Sequence, residues 1–147
     1  MSRIKLEMPE IFEFSTKIDV RITDINYGNH LGNDALLSLI HEARVRYLNK
    51  INLTEMDAGG CGIIMVDSII LYKTEIHYGD NLTIDISVND ISGTGCDFYY
   101  RIMSEKTSKT AAQAKTGITF YNYDAKKISA VPNVFIERVK NLKSHLS

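Results

Sequence analysis

The sequence is poor in nearly everything that would mark a specialised class. Its 147 residues include only two cysteines, Cys61 and Cys96. That is too few for a disulfide framework or a metal-ligand set, and both lie in apolar, strand-like context, where a free cysteine behaves as a small core hydrophobe. There are only two prolines, Pro9 and Pro132, each at an element boundary. No apolar run approaches the ~18 residues of a membrane span. The opening MSRIKLEMPE lacks the apolar core of a secretion signal, so a cytoplasmic protein is expected. Neither charge sign dominates: 17 basic and 18 acidic residues give a net charge of −1. With a pI of about 6.4, this argues against a nucleic-acid binder, which carries a basic face. Repeats, low-complexity tracts and linkers are missing too. What remains is one domain over residues 1–147, with 44% hydrophobic residues to build its core.

From Phe12 to Ile22 the alternation is complete. Phe12, Phe14, Thr16, Ile18, Val20 and Ile22 share one face and Glu13, Ser15, Lys17, Asp19 and Arg21 the other, which predicts a half-buried strand. Asn33 fits an N-cap, and Asp34 suits the dipole of a first turn, for a helix reaching about Asn49. Its Leu36, Leu37, Leu39, Ile40, Ala43, Tyr47 and Leu48 exceed a narrow stripe and predict a helix buried on most sides. A turn or short helix around Leu53–Asp57 and the loop AGGCG come next. IIMVDSIILY is almost wholly apolar and reads as a central strand covered on both faces. Leu82, Ile84, Ile86 and Val88 alternate with polar neighbours in the third strand. Cys96 to Met103 and Gln113 to Tyr123 make the last two, with Ala112, Ala114, Thr116, Ile118 and Phe120 on one face. YGDN, SGTG and SEKTSK are the turns between them. Pro132 opens a short C-terminal helix with Phe135, Ile136 and Val139 as its apolar face. The order gives an α+β fold, a five-stranded antiparallel sheet around one long central helix. One helix cannot cover five strands, and the leftover apolar edge predicts self-association as a homodimer or tetramer.

The loop before the helix is the chemically dense part. Asp24 to Asn33, DINYGNHLGN, holds three asparagines, two glycines, an aspartate and a histidine. Glycines let backbone approach a ligand closely. The polar groups surround the positive end of a helix, where anions and developing oxyanions are held.

These residues resemble a known pattern. In acyl-CoA thioesterases of the 4-hydroxybenzoyl-CoA thioesterase type, which have the hotdog fold, the loop reads D-x-D-x-x-G-H-V-N-N, and its helix carries E-A-R. DINYGNHLGNDALLSLIHEAR is similar without a gap: Asp24 falls on the first Asp, His30 on the His, Leu31 on the Val, Asn33 on the last Asn, and Glu42-Ala43-Arg44 on E-A-R. HYGDNLTIDISV and AVPNVF resemble further stretches of that family. The second Asp, its usual catalytic carboxylate, is Asn26 here, and an amide is neither a carboxylate base nor a nucleophile. The resemblance implies hydrolysis of an acyl-CoA, with CoA as part of the substrate and no bound cofactor or metal. It places the oxyanion contact seven residues beyond position 26, at Asn33.

The remaining roles are expectations with alternatives beside them. His30 is a loop imidazole suited to acid–base work, or a clasp on loop carbonyls. Glu42 sits in the predicted buried segment and must be paired or functional there; Arg46 at i+4 offers a simple ion pair. Asn26 positions a water or the thioester carbonyl, or closes an Asx turn. Water attack activated by His30 or Glu42 follows, with Asn26, His30, Asn33 and Glu42 as the catalytic set. Asp24, Tyr27 and Asp34 are expected beside the substrate, Asp24 chiefly as an organiser of the loop. His41 is a candidate or a satisfied core residue, and Lys73, Arg101, Lys106 and Lys109 meet CoA phosphates or simply solvate a face. Two rival functions remain: an acyl-CoA or lipid binding module without turnover, and a hotdog hydratase or dehydratase.

Overall fold

The structure is a computed structural model describing residues 3–146. It has one six-stranded antiparallel sheet and two helices. Strand β1 is Phe14–Asp19, followed by a 3-10 turn at Ile22–Asp24. Helix α1 is Asn33–Lys50. Strands β2 (Gly62–Tyr72), β3 (Asn81–Asn89), β4 (Gly95–Ser104) and β5 (Lys109–Asn122) follow, then a short β6 (Lys127–Ile128) and helix α2 (Asn133–Ser144). The spatial order is β1-β3-β4-β5-β2, with β6 on β5. Among the described residues no helix is long and apolar enough to cross a membrane.

The period-two patterns build the inner face of the sheet as expected. Ile84 lies opposite Ile102, Ile86 opposite Tyr100 and Val88 opposite Phe98. The large residues of β4 in turn face small ones on β5: Phe98 meets Thr116, Tyr100 meets Ala114 and Ile102 meets Ala112. This large-to-small gradient leaves room for α1, whose Leu36, Leu39, Ile40, Ala43, Tyr47 and Leu48 are buried. Tyr47 sits edge-on between Phe14 and Phe98, with centroids 5.5 and 5.4 Å away. Helix α2, entered through Pro132, closes the other end by setting Phe135 against Phe120.

Three expectations need correction. The first strand is shorter than its alternation, because Ile22 starts the 3-10 turn and is exposed. Helix α1 is not buried on most sides: Asp34, Leu37, Ser38, His41 and Glu42 form an exposed face. IIMVDSIILY is not a central strand but the edge strand β2, paired on one side with β5 and open on the other. Its middle, Met65–Ser68, is exposed in the single chain.

One polar group assigned to the outer face of the strand expected over Phe12–Ile22 lies inside. The side chain of Glu13 is fully buried, and its Oε2 accepts hydrogen bonds from Tyr47 Oη and Val88 N, both at 2.8 Å. Lys143 of α2 reaches its Oε1 at 3.3 Å. A buried carboxylate is tolerable only when so paired. Tyr47→Phe withdraws one donor while keeping the ring; it is expected to cost about 1–3 kcal/mol, the penalty of an under-bonded buried group. A urea transition with an unchanged slope and a lower midpoint is the expected reading, and an unmoved midpoint would contradict it.

Candidate active site

The loop folds on itself through its asparagines. Asn26 Oδ1 accepts from Gly28 N at 2.9 Å and His30 N at 3.4 Å, an Asx turn. Asn26 N donates to His30 O, and Asn29 N to Asn26 O. The residue in the left-handed region is Asn29, with φ of 68°. Neither loop glycine has positive φ; both instead sit close to a neighbouring side-chain oxygen. A Cβ on Gly32 would come within 2.7 Å of Asp34 Oδ1, and one on Gly28 within 3.2 Å of Asn26 Oδ1. Leu31 N bonds Ile76 O at 2.7 Å, and Gly32 N bonds Asp24 O at 3.0 Å, tying the loop to its surroundings.

The helix begins one residue earlier than expected. Gly32, not Asn33, is the N-cap, and it makes no side-chain cap bond. Asn33 is the first helical residue. Leu36 N is the first amide with a helical acceptor, Gly32 O at 3.0 Å. The amides of Asn33, Asp34 and Ala35 therefore have no intrahelical partner. Of these three residues Asn33 lines a cleft of about 270 Å³, together with His30, Leu36, Tyr72, Lys73, Ile76, Ala111 and Ala112.

Of the residues singled out by sequence, the structure brings His30 and Asn33 together on that cleft. His30 is half-buried, and its Nδ1 bonds Leu31 O at 3.3 Å. A carbonyl only accepts, so Nδ1 donates and Nε2 keeps its lone pair. His30 is thus both loop clasp and cleft wall. Asp24 is buried and organises the loop: its carboxylate accepts from Arg21 N, Nε and Nη2. Tyr27 is fully exposed at the loop tip, and Asp34 is exposed at the second helical position. Neither lines the cleft of a single chain. Among the basic residues Lys73 lines the cleft, whereas Arg101 is bound to Asp85 at 2.8 Å.

Glu42 is not in a buried segment. Its side chain is half exposed and bound to Arg46 at 2.8 Å, the ion-pair alternative, and Arg46 continues to Thr16 Oγ1 and Lys17 O of β1. His41, one residue earlier, lies on the other flank of α1 and is no core histidine. Its Nε2 bonds Glu55 Oε1 at 2.6 Å. Glu55 Oε2 accepts from Arg44 Nε at 3.0 Å, and the buried Arg44 reaches Tyr100 Oη, which pairs with Thr116 Oγ1. Burial acts to raise the Glu55 carboxyl, but the hydrogen bonds from His41 and Arg44 outweigh it and hold it below its ordinary range. His77 Nδ1 in turn bonds Asn29 O at 3.3 Å. Spacing could not have shown either contact, because both partners come from distant loops. YGDN carries more than a turn: Asp80 is buried, accepting from Ser104 Oγ and from Lys106 N at 3.3 Å.

The fold and this loop-to-helix site define the hotdog class. The sequence model of the thioesterase-like superfamily matches residues 20–139, and the chain belongs to that superfamily. No curated protein matches it. Among solved structures it is similar to a 1,4-dihydroxy-2-naphthoyl-CoA thioesterase from Synechocystis, at 19% identity and a TM-score of 0.80, covering 88% of this chain and 97% of that one. It is also similar to a thioesterase complexed with coenzyme A and Zn from Thermus thermophilus, at 19% identity and a TM-score of 0.80, over 92% and 98% of the two chains. A probable thioesterase from Escherichia coli aligns at 22% identity and a TM-score of 0.75, over 87% and 97%.

A lowered carboxyl contributes stability that is complete above its unfolded value and is lost as the pH falls through the folded one. For Glu55 that window lies below about pH 4.5. Glu55→Gln is therefore expected to lose stability near neutrality and to show a shallower decline in Tm below that pH than the parent. Parallel Tm curves would show that the charge of Glu55 contributes nothing.

Proposed function

We propose that this protein hydrolyses acyl-CoA thioesters to the free acid and CoA, in the cytoplasm and as a homodimer or tetramer. The observation that carries the reading is the uncapped start of α1, whose first helical residue, Asn33, lines an apolar cleft. The thioester carbonyl lies with its oxygen on the Asn33 amide. As water attacks, negative charge grows on that oxygen, and a preorganised amide at a helix N-terminus stabilises it without reorganising. The Nε2 lone pair of His30, on the same cleft, accepts a hydrogen of the attacking water. Lys73 at the cleft offers a cation to the CoA phosphates. No cofactor enters the scheme.

The donor can be removed cleanly. Proline at the first helical position lacks the amide but has the right φ. The preceding residue must be extended, and Gly32 already has φ −73° and ψ 155°. Asn33→Pro is expected to fold like the parent and to lose about 10²–10³-fold in kcat, the usual loss for one oxyanion donor. The assay is CoA release over a panel of acyl-CoAs from short aliphatic to aromatic. A parent that releases no CoA from any of them, while binding them, would instead support the binding-module reading that Asn26 motivates.

Position 26 separates two mechanisms. An aspartate there closes the same Asx turn, since it accepts the Gly28 and His30 amides equally well, so Asn26→Asp is expected to fold. In a site built around an amide, the new charge opposes the developing oxyanion and lowers kcat. Turnover equal to or above the parent's would overturn direct water attack organised by an amide.

A further inference from the structure

The attacking water must give up a proton, and the cleft must hold a group to take it. Position 26 is an amide whose Oδ1 is already taken up by the Gly28 and His30 amides. Glu42 is bound to Arg46 and lies off the cleft. His30 Nε2 accepts one hydrogen of the water, but its Nδ1 donates to the neutral Leu31 carbonyl, so a proton taken up there meets no compensating charge. Among the described residues the cleft has one carboxylate, Glu75.

Glu75 stands between β2 and β3, in a segment clasped to the loop before α1. Leu31 N bonds the carbonyl of Ile76 at 2.7 Å, which seats the preceding residue against the loop-to-helix junction. The Glu75 side chain is 66% exposed, so water reaches it at the cleft mouth. His77 flanks it. A carbonyl only accepts, so His77 Nδ1 donates to Asn29 O, and Nε2 of the same ring stands 3.6 Å from Glu75 Oε2. The carboxylate thus lies beside an imidazole that is itself tethered to the loop. Charge also favours Glu75 as the acceptor. A carboxylate that takes the proton loses its negative charge as the carbonyl oxygen acquires one, and the net charge of the cleft is unchanged. A neutral imidazole in the same role creates a cation as well as the oxyanion, and new charge in apolar surroundings is costly.

On the thioesterase reading above, we infer that Glu75 is the general base of the cleft and that His77 is its positioning residue. The Glu75 carboxylate takes a proton from water as the water oxygen bonds to the thioester carbon, while His30 Nε2 holds the other hydrogen. The carbonyl pair moves onto oxygen at the Asn33 amide. The tetrahedral adduct collapses, the carbon–sulfur bond breaks, and the Glu75 carboxyl returns the proton to the departing CoA sulfur.

The test measures CoA release by Glu75→Gln, Glu75→Ala, His77→Ala and the double variant of Glu75→Gln with His77→Ala. Glu75 is exposed, so Glu75→Gln is expected to leave Tm and KM unchanged while kcat falls about 10²–10⁴-fold, the scale of a lost general base. Added formate, a carboxylate small enough for the space left by Glu75→Ala, is expected to restore part of the turnover in that variant and none in Asn33→Pro. His77→Ala is expected to lower kcat by itself, and to cost nothing further once Glu75→Gln is in place, because it acts through Glu75. Unchanged kcat in Glu75→Gln, or a loss in Glu75→Ala that formate does not relieve, with the parent active, would overturn the base alone. Losses that multiply in the double variant would overturn the role given to His77. A parent inactive on every acyl-CoA would overturn the thioesterase reading, and the base with it.

Discussion

An uncapped helix start is the constraint on which the site depends. Helix α1 is gripped along one face by the sheet, through Leu36, Leu39, Ile40, Ala43 and Tyr47. That packing, not a capping side chain, fixes where its first amides point. Unbonded amides cost free energy if they are buried, so they must face water or a ligand. The Asx turn at Asn26, the clasp of His30 on Leu31 O and the bond from Leu31 N to Ile76 O hold the incoming chain so that it does not fold back over them.

Two buried polar clusters make the grip specific. Glu13 gathers donors from Tyr47, from the backbone of β3 and from Lys143, joining the segment before β1 to both helices. Arg44 runs from Glu55 through the core to Tyr100 and Thr116, joining α1 to β4 and β5. Among the described residues no buried side-chain nitrogen or oxygen lacks a partner. Apolar contacts tolerate sliding, whereas these bonds exist at one register, so the rotation of α1 about its axis is set by Glu13 and Arg44 as well as by shape.

Much of this was legible in the sequence. The period-two strands, the long helix, Pro132 at the head of α2 and the buried cysteines follow from local pattern alone, and the loop motif gave the family. Patterns failed where burial depends on something outside the segment. IIMVDSIILY says only that the strand is to be covered, not by which chain, so its edge position was invisible. Glu13 alternates as an outward residue, but α2 and its lysine arrive from the far end of the sequence. Glu42 and His41 are adjacent on one helix, and only the tertiary partners, Arg46 with Thr16 on one flank and Glu55 on the other, show that they face different ways. Asn33 as a cap was a boundary error of one residue. The loop glycine before it extends the chain into the helix as well as asparagine does.

The bulge in β5 gives the cleft a property of its own. Ala111 is the extra residue between the pairs Ile102–Ala112 and Met103–Thr110, and its carbonyl accepts both Lys73 N at 2.8 Å and Thr74 N at 3.1 Å. The end of β2 is thereby bolted to the start of β5, and the part of the cleft floor formed by Ala111 and Ala112 is backbone and methyl groups with no rotamers to change. Such a floor works as a gauge rather than a glove. In the proposed reaction a longer or branched acyl group would gain no contacts by reshaping it; the extra carbons would push the carbonyl off the Asn33 amide. Selectivity would then register in turnover more than in binding, since a misfitting ester can still hold on through its CoA arm.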